Sequence, residues 1–279
     1  MEQILIYDIH NLCKAAEHGT TPMYLAPFGD ITALYSGLRS ILRVGKDNQN
    51  HWDYVYACFD STESLRKEVR PNYKSNRDIS SQRGVFNTQM SYLFTVLKSL
   101  GFSCIRMDGF EADDIIAELC GIHNDANKLI VSNDKDLYQL LDDKTSLYKR
   151  SGRIYKKYFL ADFIKEYDIS PSEWATVKAI AGCRTDVVDG IPTIGEVRAI
   201  SYLKKTLNAK YRELIESNYN VVTGNLPLVQ LPYRRELMPI IPMKPFNFNF
   251  DNLRKVVDMF SFNSISGIEL MEWRNAWTR

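Results

Sequence analysis

The stretch Gly109–Leu141, GFEADDIIAELCGIHNDANKLIVSNDKDLYQLL, decides how the rest of the 279-residue chain is read. Glu111, Asp113 and Asp114 open a helical pattern, and Asp134 and Asp136 follow directly on the apolar run Leu129, Ile130, Val131. Between Asp108 and Asp143 stand ten acidic residues and two lysines, a local balance of −8 in a chain whose net charge is +1. One carboxylate group opening a helix and another leaving a buried strand converge at the carboxyl edge of a parallel sheet, where α/β proteins build their sites. Carboxylates held that close raise one another's pKa and cost stability unless a cation lies among them, and hard, oxygen-seeking Mg²⁺ or Mn²⁺ is the usual solution. Complementation of a helix dipole accounts for acidic residues at 111–114. It says nothing about Asp134 and Asp136.

Outward from this stretch, apolar runs and helical periodicities alternate. Ile4–Tyr7 reads as a buried strand ending at Asp8, a residue equally suited to cap a helix or to point into a site. Asp53–Asp60, DYVYACFD, is a second strand with the same acidic ending. Asp30–Val44 and Phe86–Leu100 carry helical stripes, Phe102–Arg106 is a short strand, and 146–155 reads as a strand or hairpin with Gly152 at its turn. Strands near residues 4, 54, 103, 129 and 146 with helices between them predict an α/β fold with a central, mostly parallel sheet flanked by helices. From Ser170 the pattern turns helical. Ser170, Pro171 and Glu173 start a helix carried by Trp174–Ala181. Gly190–Gly195, GIPTIG, then reads as a hairpin between helices, whose backbone N–H groups and helix N-terminus suit phosphates. Plain helix connections share this look, but the basic residues beyond it (Arg198, Lys204, Lys205, Lys210, Arg212) favour the phosphate reading. Residues 218–250 lose periodicity and gather Pro227, Pro232, Pro239, Pro242 and Pro245, which predicts an extended wrap before a last helix near 252–260.

Ser61–Arg83 is polar and basic, with one large aromatic, Tyr73. Tyr73 beside Lys74 offers a stacking surface next to a cation, a combination that holds single-stranded nucleic acid; a plain exposed insertion is the alternative. Six basic residues lie in 66–83 against two acidic, and six in 144–157 against none. An acidic centre flanked by basic segments suits a polyanion. Hydrophobic residues at 45% and charged residues at 25% are ordinary for a globular chain. No apolar run approaches the roughly 20 residues of a bilayer span, and MEQILIYDIH leads straight into a strand, so an intracellular, cytoplasmic protein is expected. Five widely spaced cysteines without a Cys-x-x-Cys pair signal neither a disulfide framework nor a zinc site.

Taken together these segments resemble the flap endonuclease and 5′ to 3′ exonuclease family, which includes viral enzymes and the 5′-nuclease domain of bacterial DNA polymerase I. The likeness covers about residues 4–207. It rests on Asp8 after the first strand, FDS at 59–61, LRKEVRPNYKSNR at 65–77, GFEADD at 109–114, SNDKDLYQLL at 132–141, and the region from Pro171 through GIPTIGE. The resemblance implies a PIN-like α/β core over 1–168 with a helical arch at about 61–90. A helical DNA-binding region over 169–279 follows, with a helix-hairpin-helix-like motif at about 182–207 and a C-terminal wrap. It implies a structure-specific nuclease that cuts DNA near 5′ ends, flaps, nicks or gaps in replication or repair, extending to RNA–DNA hybrids. A monomer of viral or bacterial type without a membrane partner is expected.

Carried over by position, Asp8, Asp60, Glu111, Asp113 and Asp114 form a first metal group and Asp134, Asp136 and Asp186 a second, for two Mg²⁺ or Mn²⁺ ions. Arg66, Tyr73, Lys74 and Arg77 fall in the arch, with Lys74 facing the scissile phosphate. Gly190, Thr193 and Gly195, with Lys204 and Lys205, fall in the duplex-binding element, where a K⁺ ion is typical. Two divalent ions about 4 Å apart orient and deprotonate a water and stabilise the departing oxygen, leaving a 5′-phosphate and a 3′-hydroxyl. The chain departs from the family in four places. Cys183 stands where an aspartate is common, Asp189 is an acidic extra that would compensate, Thr193 replaces a hairpin glycine, and Lys14 stands near an expected arginine. The first of these keeps open a DNA-structure-binding protein with weakened catalysis. A PIN-like ribonuclease is a third reading, against which the length, the arch and the hairpin argue.

Overall fold

The computed structural model describes residues 1–48, 51–76, 81–151 and 154–278. Its centre is strand β1 (Gln3–Asp8), in which Ile4, Leu5, Ile6 and Tyr7 are wholly buried. An unbroken apolar run of this kind belongs to a strand covered on both faces. Leu5 and Tyr7 join one apolar cluster and Ile4 and Ile6 the other, the two-residue alternation of a strand between two layers.

The chain continues through helix α1 (Ile9–Glu17), a small ribbon of β2 (Tyr24–Leu25) and β3 (Gly29–Asp30), and α2 (Thr32–Asn48). Next come β4 (Tyr54–Cys58), a single helical turn α3 (Arg66–Val69), α4 (Ser81–Ser99), β5 (Ser103–Ile105), α5 (Ala112–Ile122) and β6 (Asn127–Val131). Strands β7 (Thr145–Ser151) and β8 (Ile154–Tyr158) complete a six-stranded sheet in the order β5-β4-β1-β6-β7-β8. All its pairings are parallel except β7 with β8. The strand-or-hairpin reading of 146–155 therefore resolves as an antiparallel pair, with Gly152 outside the described residues. In the registers Asp8↔Cys58 and Tyr7↔Val131, strands β1, β4 and β6 end level. The acidic residues just past them emerge at one edge.

Beyond the sheet lie α6 (Leu160–Tyr167), α7 (Trp174–Ala181), a ribbon of β9 (Gly182–Cys183) and β10 (Val188–Asp189), α8 (Glu196–Leu203), α9 (Ala209–Ser217) and α10 (Tyr219–Val229). Helices α11 (Phe250–Met259) and α12 (Gly267–Trp277) end the chain. The apolar cluster under Ile4 and Ile6 continues through Ile116, Trp174 and Ile180 to Ile215, so it is shared across residue 168.

Two expectations need correction. The extended wrap over 218–250 begins with a helix, α10, which carries Pro227 near its C-terminal end and buries Val222, Asn225, Leu228 and Val229. Only the later part is extended, where Phe246 N–H donates to the Asp53 carbonyl (2.8 Å) and Asn249 N–H to that of Leu100 (3.0 Å). Helix α12 went unread because Ile268 and Met271 face solvent while Trp273, Ala276 and Trp277 are buried, so no clean apolar stripe marks it. It docks on α2 through Trp277, whose indole N–H donates to the Leu42 carbonyl at 2.9 Å. Gly45 leaves the room, since a Cβ there would lie 2.2 Å from the indole ring.

Trp277→Ala is accordingly expected to cost about 3–5 kcal/mol in urea unfolding, against under about 0.5 kcal/mol for the surface change Ile240→Ala.

Candidate active site

Backbone N–H groups near the sheet edge fix the carboxylates there. Asp8 does both things its position allowed: Oδ1 accepts the Asn11 N–H at 3.2 Å, capping α1, and Oδ2 accepts the Ser132 hydroxyl at 2.7 Å. Asp60, two residues past β4, accepts the Ala112 N–H at 2.9 Å and so anchors the first turn of α5. Glu111 is the N-cap of α5. Asp134 accepts the Asp136 N–H at 2.9 Å in the turn after β6. With Asp113, these residues line one open cavity of about 1240 Å³, together with Lys14, Lys74 and Arg83.

Burial pushes the Asp8 carboxyl up to about 7, with Asp60 and Asp134 adding repulsion. Asp113 is raised well above the carboxylate range by burial and by Asp114 and Glu111, against the pull of Arg66 and Lys74. Its Oδ1 is buried and finds no hydrogen-bond partner among the described residues.

Lys74 has a left-handed backbone (φ +55°), uncommon for a residue other than glycine. Its N–H donates to the Asp186 carbonyl at 2.9 Å. Its ammonium sits 2.6 Å from Glu111 Oε2 and 3.7 Å from Asp186 Oδ1, bridging the two acidic groups.

The other arch residues lie elsewhere than expected. Arg66 is 1% exposed, and its guanidinium grips Asp114 at 2.6 and 2.8 Å. Asp114 also accepts the backbone N–H groups of Tyr233 (2.8 Å) and Glu111 (3.2 Å), so both its oxygens are engaged and neither faces the cavity as an ion ligand would. Tyr73 is 3% exposed and donates its hydroxyl to Glu111 Oε2 at 3.1 Å, so here it is a packed support rather than an open stacking surface. A fully buried Asp114 needs a cation at contact distance, and the α3 turn folds inward to supply Arg66. Arg77 lies outside the described residues.

The second group gathers Asp136, Cys183 and Asp186, whose donor atoms all lie within 4.8 Å of one another. Asp189 is exposed and is not among them; its carbonyl instead accepts the Asn225 amide at 2.8 Å. Lys178 on α7, which the sequence reading passed over, places its ammonium 3.2 Å from Asp136 Oδ1 and 3.6 Å from Glu196 Oε1. A lysine inside the otherwise apolar WATVKAIA helix was the available signal. Burial and Asp134 raise the Asp136 carboxyl to about 6, opposed by Lys178.

In the hairpin, Gly190 is required by close approach: a Cβ would lie 2.2 Å from the Ala181 carbonyl. Thr193 occupies a left-handed φ of +69°, where glycine is easiest, and its carbonyl accepts from the Arg198 guanidinium. Gly195 is the N-cap of α8. Lys204 is exposed and paired with Asp168 at 2.6 Å; Lys205 is exposed beside it. The basic residues beyond the hairpin are spread over α8 (Arg198), the turn after it (Lys204, Lys205) and α9 (Lys210, Arg212).

A parallel sheet whose acidic strand ends meet a lysine in one cavity offers the donors of metal-assisted phosphoryl chemistry, the class of enzymes that this fold and site suit. The model of the 5′-3′ exonuclease N-terminal resolvase-like domain matches residues 3–168. A 5′-3′ exonuclease of Buchnera aphidicola is 31% identical over 217 residues, which cover 77% of this chain and 71% of that one. The thermostable DNA polymerase I of Thermus aquaticus is 28% identical over 209 residues, 73% of this chain but only 24% of the polymerase. Among solved structures, the T5 D15 protein co-crystallised with metal ions superposes with a TM-score of 0.67 at 21% identity, covering 98% of this chain and 99% of that one. Human GEN1 bound to Holliday junction DNA superposes with a TM-score of 0.61 at 15% identity, covering 98% and 71%. The chain belongs to the 5′-3′ exonuclease family.

Its donors suit divalent cations: Asp8, Asp60, Glu111, Asp113 and Asp134 share the cavity, Asp8 and Asp113 hold their protons unusually high, and one buried oxygen of Asp113 has no partner among the described residues. Among the described residues no helix is long and apolar enough to cross a membrane.

Arg66→Ala strands the Asp114 charge and is expected to cost about 3–5 kcal/mol in urea unfolding, whereas Lys67→Ala at an exposed pair changes stability by under about 1 kcal/mol. The folded chain holds the Asp8 proton up to about pH 7, while the unfolded chain releases it near 3.8. Raising the pH through this window therefore lowers stability. Protein in EDTA should melt about 2–4 °C higher at pH 6 than at pH 8, and saturating divalent cation should abolish or reverse that trend, as scanning calorimetry would read directly.

Proposed function

We propose that the protein is a Mg²⁺- or Mn²⁺-dependent 5′ nuclease that cuts DNA at 5′ flaps, nicks, gaps or free ends in replication or repair, and that it works as a monomer. RNA at the 5′ end, as an RNA–DNA hybrid, falls within the same reading. The carrying observation is the convergence of Asp8, Asp60, Glu111, Asp113 and Asp134 with Lys74 in one cavity.

Asp8, Asp60, Glu111 and Asp113 would hold one ion, and Asp134, Asp136 and Asp186 a second. When bound, the ions supply a water acidic enough to attack near neutral pH and charge neutralisation at the departing oxygen. The chain's own residues do the rest. Glu111 and Asp186 hold the Lys74 ammonium at the cavity wall, positioned to offset charge on the scissile phosphoryl group. Arg66 and Tyr73 fix Glu111 and Asp114 from behind, as positioning residues. Lys14 and Arg83 line the cavity and attract the strand. An unpaired strand is needed because the scissile bond must leave the duplex to reach the carboxylates. Residues 169–279 would grip the duplex part through backbone N–H groups around Gly190, Thr193 and Gly195, with Lys204, Lys205 and a K⁺ ion. Cys183 among the second group favours the alternative, a DNA-structure-binding protein with weakened catalysis.

A 5′-flap DNA labelled at its end separates the two: metal-dependent product with a 5′-phosphate is expected in Mg²⁺ or Mn²⁺ and none in EDTA, and binding with no product in any metal would sink the enzyme reading. Lys74→Ala should lower turnover about 100-fold or more with Kd little changed. Lys204→Ala with Lys205→Ala should instead weaken binding and flatten the salt dependence by about one charge per lysine. Equal losses of affinity with normal turnover in both would refute this division of roles.

A further inference from the structure

The second acidic group contains a donor unlike its neighbours. Cys183 closes β9, the ribbon strand that follows α7, and is 8% exposed. Its Sγ donates to Asp186 Oδ2 at 3.2 Å and lies 3.0 Å from Thr185 Oγ1. The sulfur and one oxygen of Asp186 come from a single short segment, three residues apart, and the third donor, an Asp136 oxygen, from the turn after β6; all three stand within 4.8 Å of one another. Around one tetrahedral ion, with sulfur at about 2.3 Å and oxygen at about 2.1 Å, such donor atoms stand roughly 3.4–3.6 Å apart. Small side-chain rotations close the difference.

Two features tell which ion such a site takes. Mg²⁺ is bound through oxygen and water in near-ideal octahedra and gains little from sulfur, whereas thiolate is a strong ligand for zinc and similar ions. Lys178, 3.2 Å from Asp136, offsets part of the carboxylate charge. That weakens the hold on an ion bound by charge alone, but it does not cancel a metal–thiolate bond.

We infer that Asp136, Cys183 and Asp186 form a mixed sulfur and oxygen site that prefers a thiophilic divalent ion, of the Zn²⁺ or Co²⁺ type, to Mg²⁺. The inference rests on the nuclease reading, whose second ion it specifies. On binding, the S–H bond breaks, a metal–sulfur bond forms and the proton leaves to solvent; no oxidant or reductant takes part. The four other cysteines join no cluster of three donors among the described residues.

Metal-free protein spanning residues 1–279, kept reduced, would be titrated with Co²⁺ while the near-ultraviolet thiolate-to-metal charge-transfer band is recorded and bound ions are counted by calorimetry. Wild type should develop a band that saturates at one equivalent and survives a 100-fold excess of Mg²⁺. Cys183→Ser should lose it entirely while still binding an ion elsewhere. Cys183→Asp should lose it and bind Mg²⁺ in its place. Co²⁺ bound by wild type without the band, no Co²⁺ bound at all, or a band persisting in Cys183→Ser would each overturn the proposal. Flap cleavage measured on the same wild-type samples tells the two readings apart: cleavage without a band rejects the sulfur site alone, and neither ion binding nor cleavage rejects the nuclease reading as well.

Discussion

The structure depends on the contact between Arg66 and Asp114. An aspartate with no exposure has to be matched by a cation and by donors, because an isolated charge in the interior costs several kcal/mol. The match is assembled from distant parts of the chain. Arg66 comes from the α3 turn, its Nε donates to the Leu228 carbonyl at the end of α10, and the Tyr233 backbone supplies a further N–H. A single buried pair therefore ties the basic segment, the acidic helix α5 and the C-terminal region into one arrangement. It does so through geometry more than through net stabilisation, since buried ion pairs roughly balance their own desolvation.

On this support stands an electrostatically unfavourable site. Like charges delivered by β1, β4, α5 and the turn after β6 face one cavity, and burial, with this repulsion added, holds protons near neutral pH on Asp8 and, in the adjoining second group, on Asp136. The two lysines among them are placed differently. Lys74 bridges both acidic groups from the mouth, and Lys178 neutralises the second from the core side. In the proposed function this negative potential draws divalent ions and, through them, phosphate to a protein of almost neutral overall charge.

Much of this was legible in the sequence, and for reasons that can be named. Buried parallel strands are short unbroken apolar runs, so β1, β4 and β6 declared themselves, and the carboxylates after them announced a shared edge. Helices α10 and α12 did not. The first carries a proline and the second spreads its buried residues around two tryptophans, so neither shows the periodic stripe by which helices are read. Lys178 was hidden because one lysine in an apolar helix does not say which carboxylate it will meet.

The sequence by itself determined the parallel strands of the sheet, its acidic edge and the family, since these depend on local pattern and on residue type. Only the tertiary structure decided what each residue does there. It turned Arg66 and Tyr73 inward, withdrew Asp114 from the cavity, left Asp189 outside and set Cys183 beside Asp136 and Asp186. The reason is physical: whether a charge points at a ligand or at a partner depends on which other buried groups reach it first, and those groups come from positions far apart in the chain.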